Sequence, residues 1–150
     1  MTEQEDRLAE AGRLARLLIE IGEQAKADFA RIVARFGLPV HLARAIVLLT
    51  EPAPMRDLAE RLACDRSYIT ALADRLDERG LVERVPGTDR RVKLLALTEA
   101  GVAVRDEISR AIAEENMIMR RLTDGERAVL GPLLETLHDP DAPRPGPETC

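Results

Sequence analysis

Residues 58–101, LAERLACDRSYITALADRLDERGLVERVPGTDRRVKLLALTEAG, restrict the fold more than any other stretch of the chain. Ile69, Leu72, Ala73 and Leu76 fall at i, i+3, i+4 and i+7, so a helix there buries one face. Asp65 stands just before it as an N-cap, its carboxylate suited to accept from the free N–H groups of the first turn. Gly80 stands just after it as a stop. Ser67, Thr70, Ala71, Asp74, Arg75 and Glu78 are left pointing outward. Upstream, residues 55–63 form a shorter helix with Leu58, Ala59 and Leu62 inward, and Cys64-Asp65 is the turn between the two. Downstream, residues 81–85 and 91–97 read as strands around the turn Pro86-Gly87-Thr88-Asp89.

Helix, turn, helix, hairpin is the order of a winged helix-turn-helix. The flanks are helical as well. Over residues 5–36, Leu8, Ala11, Ala15, Leu18, Ala25, Phe29, Ile32 and Phe36 recur at helical spacing. Leu14, Leu17 and Ile21 widen that stripe beyond what one neighbour covers, so the helix needs a second partner, in the same chain or another subunit. Gly37 ends it and Pro39 opens the next helix, over 41–50. The two prolines of EPAPM force an extended connection. Thr98 caps a long helix over 99–122, striped by Val104, Ile108, Ala111, Ile112, Ile118 and Met119. Thr123 and Glu126 have the spacing of a capping box and open a last helix, which ends near Leu137 and is kinked by Pro132. Residues 139–150, with four prolines and no apolar pattern, read as a disordered tail. The fold class is therefore mainly α: helices plus a two-stranded wing.

Charge is distributed unevenly. The chain carries −5, yet residues 84–93 hold Arg84, Arg90, Arg91 and Lys93 against Asp89, or +4 − 1 = +3, leaving −5 − 3 = −8 elsewhere. A local basic face suffices for binding nucleic acid, because binding depends on where charges sit. No apolar run approaches the ~18 residues of a membrane span, and the polar, acidic amino-terminal stretch lacks a secretory plan, so a cytoplasmic location is expected. Cys64 and Cys150 form neither a disulfide framework nor a metal spacing, and His41 and His138 have no companion ligands, so no cofactor is expected. Without a nucleophile elbow, phosphate-cradling glycine loop or zinc motif, nothing points to an enzyme.

A helix entering the major groove needs small residues at its leading end so that the backbone can approach base edges. Ser67, Thr70 and Ala71 meet that need; Arg66 and Arg75 reach phosphate or a guanine edge, and the Tyr68 hydroxyl suits a phosphate. Arg90 and Arg91 at the hairpin tip, with Lys93 two residues on, suit the negative potential of an adjacent minor groove. Asp89 reads as a brace pairing with one of these arginines. Two other readings stand beside this one. Asp74, Asp77 and Glu78 partly neutralise the helix face, as in a winged helix that binds protein instead of DNA. Cys64, in the turn, is either a small buried residue or a thiol-redox sensor.

The chain resembles the MarR family of bacterial transcriptional regulators. The matching residues are Leu58-Ala59, Ser67 and Thr70, Leu76 with Gly80-Leu81-Val82, and above all Asp89-Arg90-Arg91 followed by Leu97-Thr98 and Gly101. The likeness spans about residues 5–137, with a hairpin tip about one residue shorter than usual. It implies a homodimer held by N- and C-terminal dimerisation helices at 5–36 and 99–137, with the winged lobe at 37–98. It also implies binding of double-stranded DNA at a pseudo-palindromic operator, as a repressor released by a small molecule. That molecule would lie between the dimerisation helices and the lobe, where His41 and Arg44 are the candidate contacts.

Overall fold

The computed structural model describes residues 2–139 and 141. The expected tail therefore lies, apart from Asp139 and Asp141, outside the described residues. The chain divides into two compact units, residues 1–116 and 117–150.

The first unit opens with α1 (Glu3–Val33), which Thr2 caps: its side chain accepts from the Glu5 N–H while the Glu5 carboxylate accepts from the Thr2 N–H. A 3-10 turn, Ala34–Phe36, carries the chain to Gly37, whose φ of 64° places it in the left-handed region. Pro39 then caps α2 (Val40–Leu48), an apolar helix with Leu42, Ala43, Ala45 and Ile46 buried. The extended EPAPM connection holds a two-residue strand, β1 (Ala53–Pro54), which leads into α3 (Met55–Leu62). The turn to α4 (Arg66–Glu78) passes through Ala63, which has a φ of 52°. Gly80 (φ 68°) then releases the chain into β2 (Val82–Pro86), followed by β3 (Lys93–Leu97) and α5 (Glu99–Glu115).

The wing has three strands where two were expected. β1 adds to β3 antiparallel, with Ala53 opposite Leu95 and Pro54 opposite Leu94, giving the order β1-β3-β2. A proline is compatible with this position because an edge strand has N–H groups that need no partner. The second wing strand also begins later than expected, at Lys93 and not at Arg91.

Two further expectations change. Asp65 occupies the N-cap of α4 but its carboxylate makes no capping hydrogen bond; at this exposed helix start water can satisfy the first N–H groups. The helix expected over 99–122 is broken at Asn116, where ψ turns to 142°. Asparagine is a weak helix former because its side chain competes for nearby backbone groups.

The core of the first unit is aliphatic. Leu42, Ile46 and Leu49 meet Leu58, Ile69, Leu76, Val82, Leu95 and Ile108, all at most 2% exposed. Among the described residues no polar side chain is buried. One close approach seals the sheet to α5: the Thr98 hydroxyl donates to the Gly80 carbonyl (2.6 Å), its N–H donates to the Leu81 carbonyl (3.1 Å), and Gly101 passes under the same carbonyl. A Cβ at Gly101 would lie 1.9 Å from the Leu81 oxygen, so only glycine fits.

The second unit contains α6 (Met117–Arg121) and α7 (Asp124–His138). The capping box at Thr123 and Glu126 is present, with both reciprocal bonds. The helix runs on through Pro132 to His138. Among the described residues no helix is long and apolar enough to cross a membrane.

Candidate nucleic-acid interface

The periodicity of α4 sorts its residues cleanly. Ile69, Leu72, Ala73 and Leu76 are buried, while Arg66, Ser67, Tyr68, Thr70, Ala71, Asp74, Arg75 and Glu78 are exposed. The Thr70 hydroxyl donates to the Arg66 carbonyl at 3.0 Å, so its proton is turned back onto its own helix and its lone pairs face out.

The hairpin tip is a tight turn. The Val92 N–H donates to the Asp89 carbonyl (2.9 Å), placing Arg90 and Arg91 at the two central positions. The Asp89 carboxylate accepts from the Arg91 backbone N–H at 3.0 Å. The expected pairing with a guanidinium is replaced by a grip on the backbone, the usual role of aspartate at the first position of a turn. Both arginine side chains remain exposed. The Gly87 N–H closes the loop onto the Val92 carbonyl at 2.8 Å.

Helix start and wing base share one hollow of about 1050 Å³. It is lined by Pro54, Met55, Arg56 and Glu60 from β1 and α3, by Cys64, Asp65 and Arg66 from the turn and α4, and by Arg91, Val92 and Lys93 from the wing. Arg56, Arg66, Arg91 and Lys93 oppose Glu60 and Asp65 there, giving +4 − 2 = +2. Arg56 was not apparent as a site residue; nothing in its spacing links it to a loop some 35 residues on. Cys64 is half-buried and packs against the core.

Arg84 behaves differently from the other wing cations. Its guanidinium meets Asp74 (2.5 Å) and Asp77 (3.3 Å) on α4. The net charge of +3 read for the hairpin therefore overstates what faces outward; without Arg84 it is +3 − 1 = +2. The acidic helix face that suggested a protein-binding module is largely occupied by the same pairing.

A second hollow, about 580 Å³, is bounded by α1, α2 and α3. Ala25, Phe29, Val40, Val47 and Leu48 line it together with Lys26, Arg44 and Arg61. Arg44 is where the sequence suggested an effector contact. His41 is not part of this lining: its ring faces Tyr68 of α4, with centroids 6.2 Å apart. Lys26 and Arg61 join Arg44 from two other helices, a convergence that no local pattern signals. Lys26 also pairs with Glu23 at 2.8 Å.

The MarR family profile matches residues 48–93. A probable transcriptional regulator from Pseudomonas aeruginosa has 31% identity and a TM-score of 0.64, covering 83% of this chain and 98% of that one. CouR from Rhodococcus jostii RHA1, solved with bound p-coumaroyl-CoA, has 28% identity and a TM-score of 0.70, covering 85% and 92%. A MarR mutant from E. coli, solved with operator DNA, has the same fold at 22% identity and a TM-score of 0.69, covering 87% and 96%. No match is found among curated protein sequences. Fold and relatives together define a winged-helix, DNA-binding regulator of transcription. The chain belongs to the MarR family.

Proposed function

We propose that the chain works as a homodimer that represses transcription by holding a pseudo-palindromic operator, and that a small molecule releases it. Residues 5–36 and 99–137 hold the dimer, and residues 37–98 bind the duplex. The observation that carries this reading is the shared hollow of α3, α4 and the wing, where Arg56, Arg66, Arg91 and Lys93 converge. Cations so arranged neutralise phosphates and release counterions. Ser67, Thr70, Ala71 and Arg75 are the base-reading positions of α4, and Tyr68 reaches the backbone. Arg90 enters the minor groove from a tip that Asp89 keeps closed. The partner is double-stranded DNA, and the protein works in the cytoplasm.

Pairing is supported by α1, where Leu8, Leu14, Leu18 and Ile19 are each half-exposed or more. Two copies then set their recognition helices about one helical turn of DNA apart. The effector is an anion with an apolar body, seated in the hollow of Arg44, Lys26 and Arg61. The acyl-CoA bound by CouR supports that class. His41, on the helix that carries Arg44, passes the effector's pull to Tyr68. Release is then a shift between DNA-competent and incompetent spacings of the two heads.

The test is selection of bound duplexes from random DNA, followed by titration of the selected site. Replacing both Arg90 and Arg91 by Ala should weaken binding to every sequence and flatten the salt slope by about 2, at ~0.9 for each phosphate no longer neutralised. Replacing Thr70 or Arg75 should instead alter the preferred sequence. A double wing variant that binds like the parent would remove the wing from the mechanism, and a monomeric mass in light scattering would remove the paired site.

A further inference from the structure

Three of the outward residues of α4 form one stripe. Thr70, Asp74 and Asp77 stand at i, i+4 and i+7, so the line that begins with a base-reading position runs on into two carboxylates. Those carboxylates do not help the helix. They lie in its C-terminal half, where the helix dipole disfavours acid, and at i, i+3 they repel each other. A phosphate backbone approaching this flank would be repelled too.

Arg84 meets both. Its guanidinium, carried by β2, lies 2.5 Å from Asp74 and 3.3 Å from Asp77, and its side chain is only 33% exposed against 55% and 53% for theirs. One planar cation thus spans two carboxylates across the gap between recognition helix and wing. We infer that Arg84 is a positioning residue for DNA binding that makes no DNA contact of its own: it masks Asp74 and Asp77 so that phosphate can approach this flank of α4. The inference rests on the proposed DNA-binding reading of α4 and the wing. It also explains why the helix tolerates two acids beside its reading face. With Arg84 in place the cluster carries +1 − 2 = −1, and without it −2, so its repulsion of phosphate grows when Arg84 is absent.

The test compares three variants with the parent by fluorescence anisotropy on a selected operator duplex, with circular dichroism melting to confirm folding. Arg84→Ala should weaken binding about five- to tenfold, the scale of two surface charges left unpaired. Adding Asp74→Asn and Asp77→Asn to Arg84→Ala should restore affinity to within about twofold of the parent, because the charges being masked are gone. A merely structural tie would not be rescued this way, since the triple variant still lacks the bond between helix and wing. If Arg84→Ala does not fold, Arg84→Gln replaces it in both roles. The inference is overturned if the single variant binds like the parent, or if the triple variant stays as weak as the single one. The variant lacking Arg90 and Arg91 separates the two levels. If it also binds like the parent, the wing's DNA role has failed; if it alone is weak, only the masking role has.

Discussion

The winged lobe and the terminal helices solve the burial problem in opposite ways. From α2 to β3 each element contributes aliphatic side chains to one closed core, and its exposed positions are mostly polar. Residues 2–27 behave differently. Their helix is regular and well capped, yet Leu8 is 74% exposed and Ile19 67%; in α7, Val129 and Leu137 are 67% and 69% exposed. Burying a leucine is worth roughly 2 kcal/mol, so several such side chains left in water favour the pairing proposed above. The lobe's core is closed with Val33 of α1 and Ile108 of α5, whereas the outer part of α1 and the face of α7 leave these apolar side chains exposed.

That contrast can be broken most sharply at Gly101. Alanine there puts a carbon 1.9 Å from the Leu81 carbonyl oxygen, a backbone atom that cannot swing aside. Gly101→Ala should cost about 3 kcal/mol or more in urea denaturation, because overpacking against backbone has no cheap relief. A neutral result would mean that the joint between wing and α5 is looser than the lobe's packing implies.

Leu14→Lys with Leu18→Lys should leave the lobe's circular dichroism and melting cooperativity intact while halving the mass seen in light scattering. Operator affinity should fall by about a hundredfold as two linked half-sites become independent. An unchanged mass would overturn the partner-facing reading of α1. Ala63→Gly tests the lobe in the stabilising direction. Ala63 sits at φ 52° between the two helices of the motif, and glycine there should add about 0.5–1 kcal/mol by removing left-handed strain. Failure to stabilise would mean the strain is relieved elsewhere in the turn.

The smallest effect concerns the tie from the end of α1 and the 3-10 turn after it to Glu115 of α5. Glu115 accepts from Arg35 (2.6 Å) and from Arg31 (3.4 Å). The Arg35 hydrogen bond, with Arg31 and both positive charges adding to it, holds the Glu115 carboxyl below its ordinary pKa. A group depressed in the folded state contributes stability above its unfolded pKa, near 4.3, and loses it as pH falls through the lower folded value. Melting temperature should therefore drop in that acid window, and less steeply in Glu115→Gln. Parallel acid limbs for variant and parent would show that the tie contributes nothing.

Much of this could be read from residue order. The burial of Ile69, Leu72, Ala73 and Leu76 followed from spacing alone, and the Thr123–Glu126 box from two residues three apart. The break at Asn116 was not legible, because the apolar stripe of α5 continues across it to Ile118 and Met119. Nor was β1, since Ala53 and Pro54, one of them itself a proline, carry no strand period; its pairing depends on β3, about 40 residues further along the chain.

At the site, sequence named the cations but not their partners. It placed Arg84 with Arg90 and Arg91 as one basic hairpin, and Asp89 against a guanidinium. Tertiary packing took Arg84 across to Asp74 and Asp77, whereas Asp89 turned onto the backbone N–H of Arg91 by a local contact two residues on. Tertiary packing likewise gathered Lys26, Arg44 and Arg61 around one hollow while turning His41 toward Tyr68.

Periodicity, caps and breakers act between residues within a turn of one another, so the order of elements and their inward faces were determined by the sequence by itself. Which charges neutralise each other, and which cations converge on a cleft, depends on distances between elements far apart in the chain. Those distances exist only once the aliphatic core has set how the helices and the wing lie against one another, and that was decided by the tertiary structure alone.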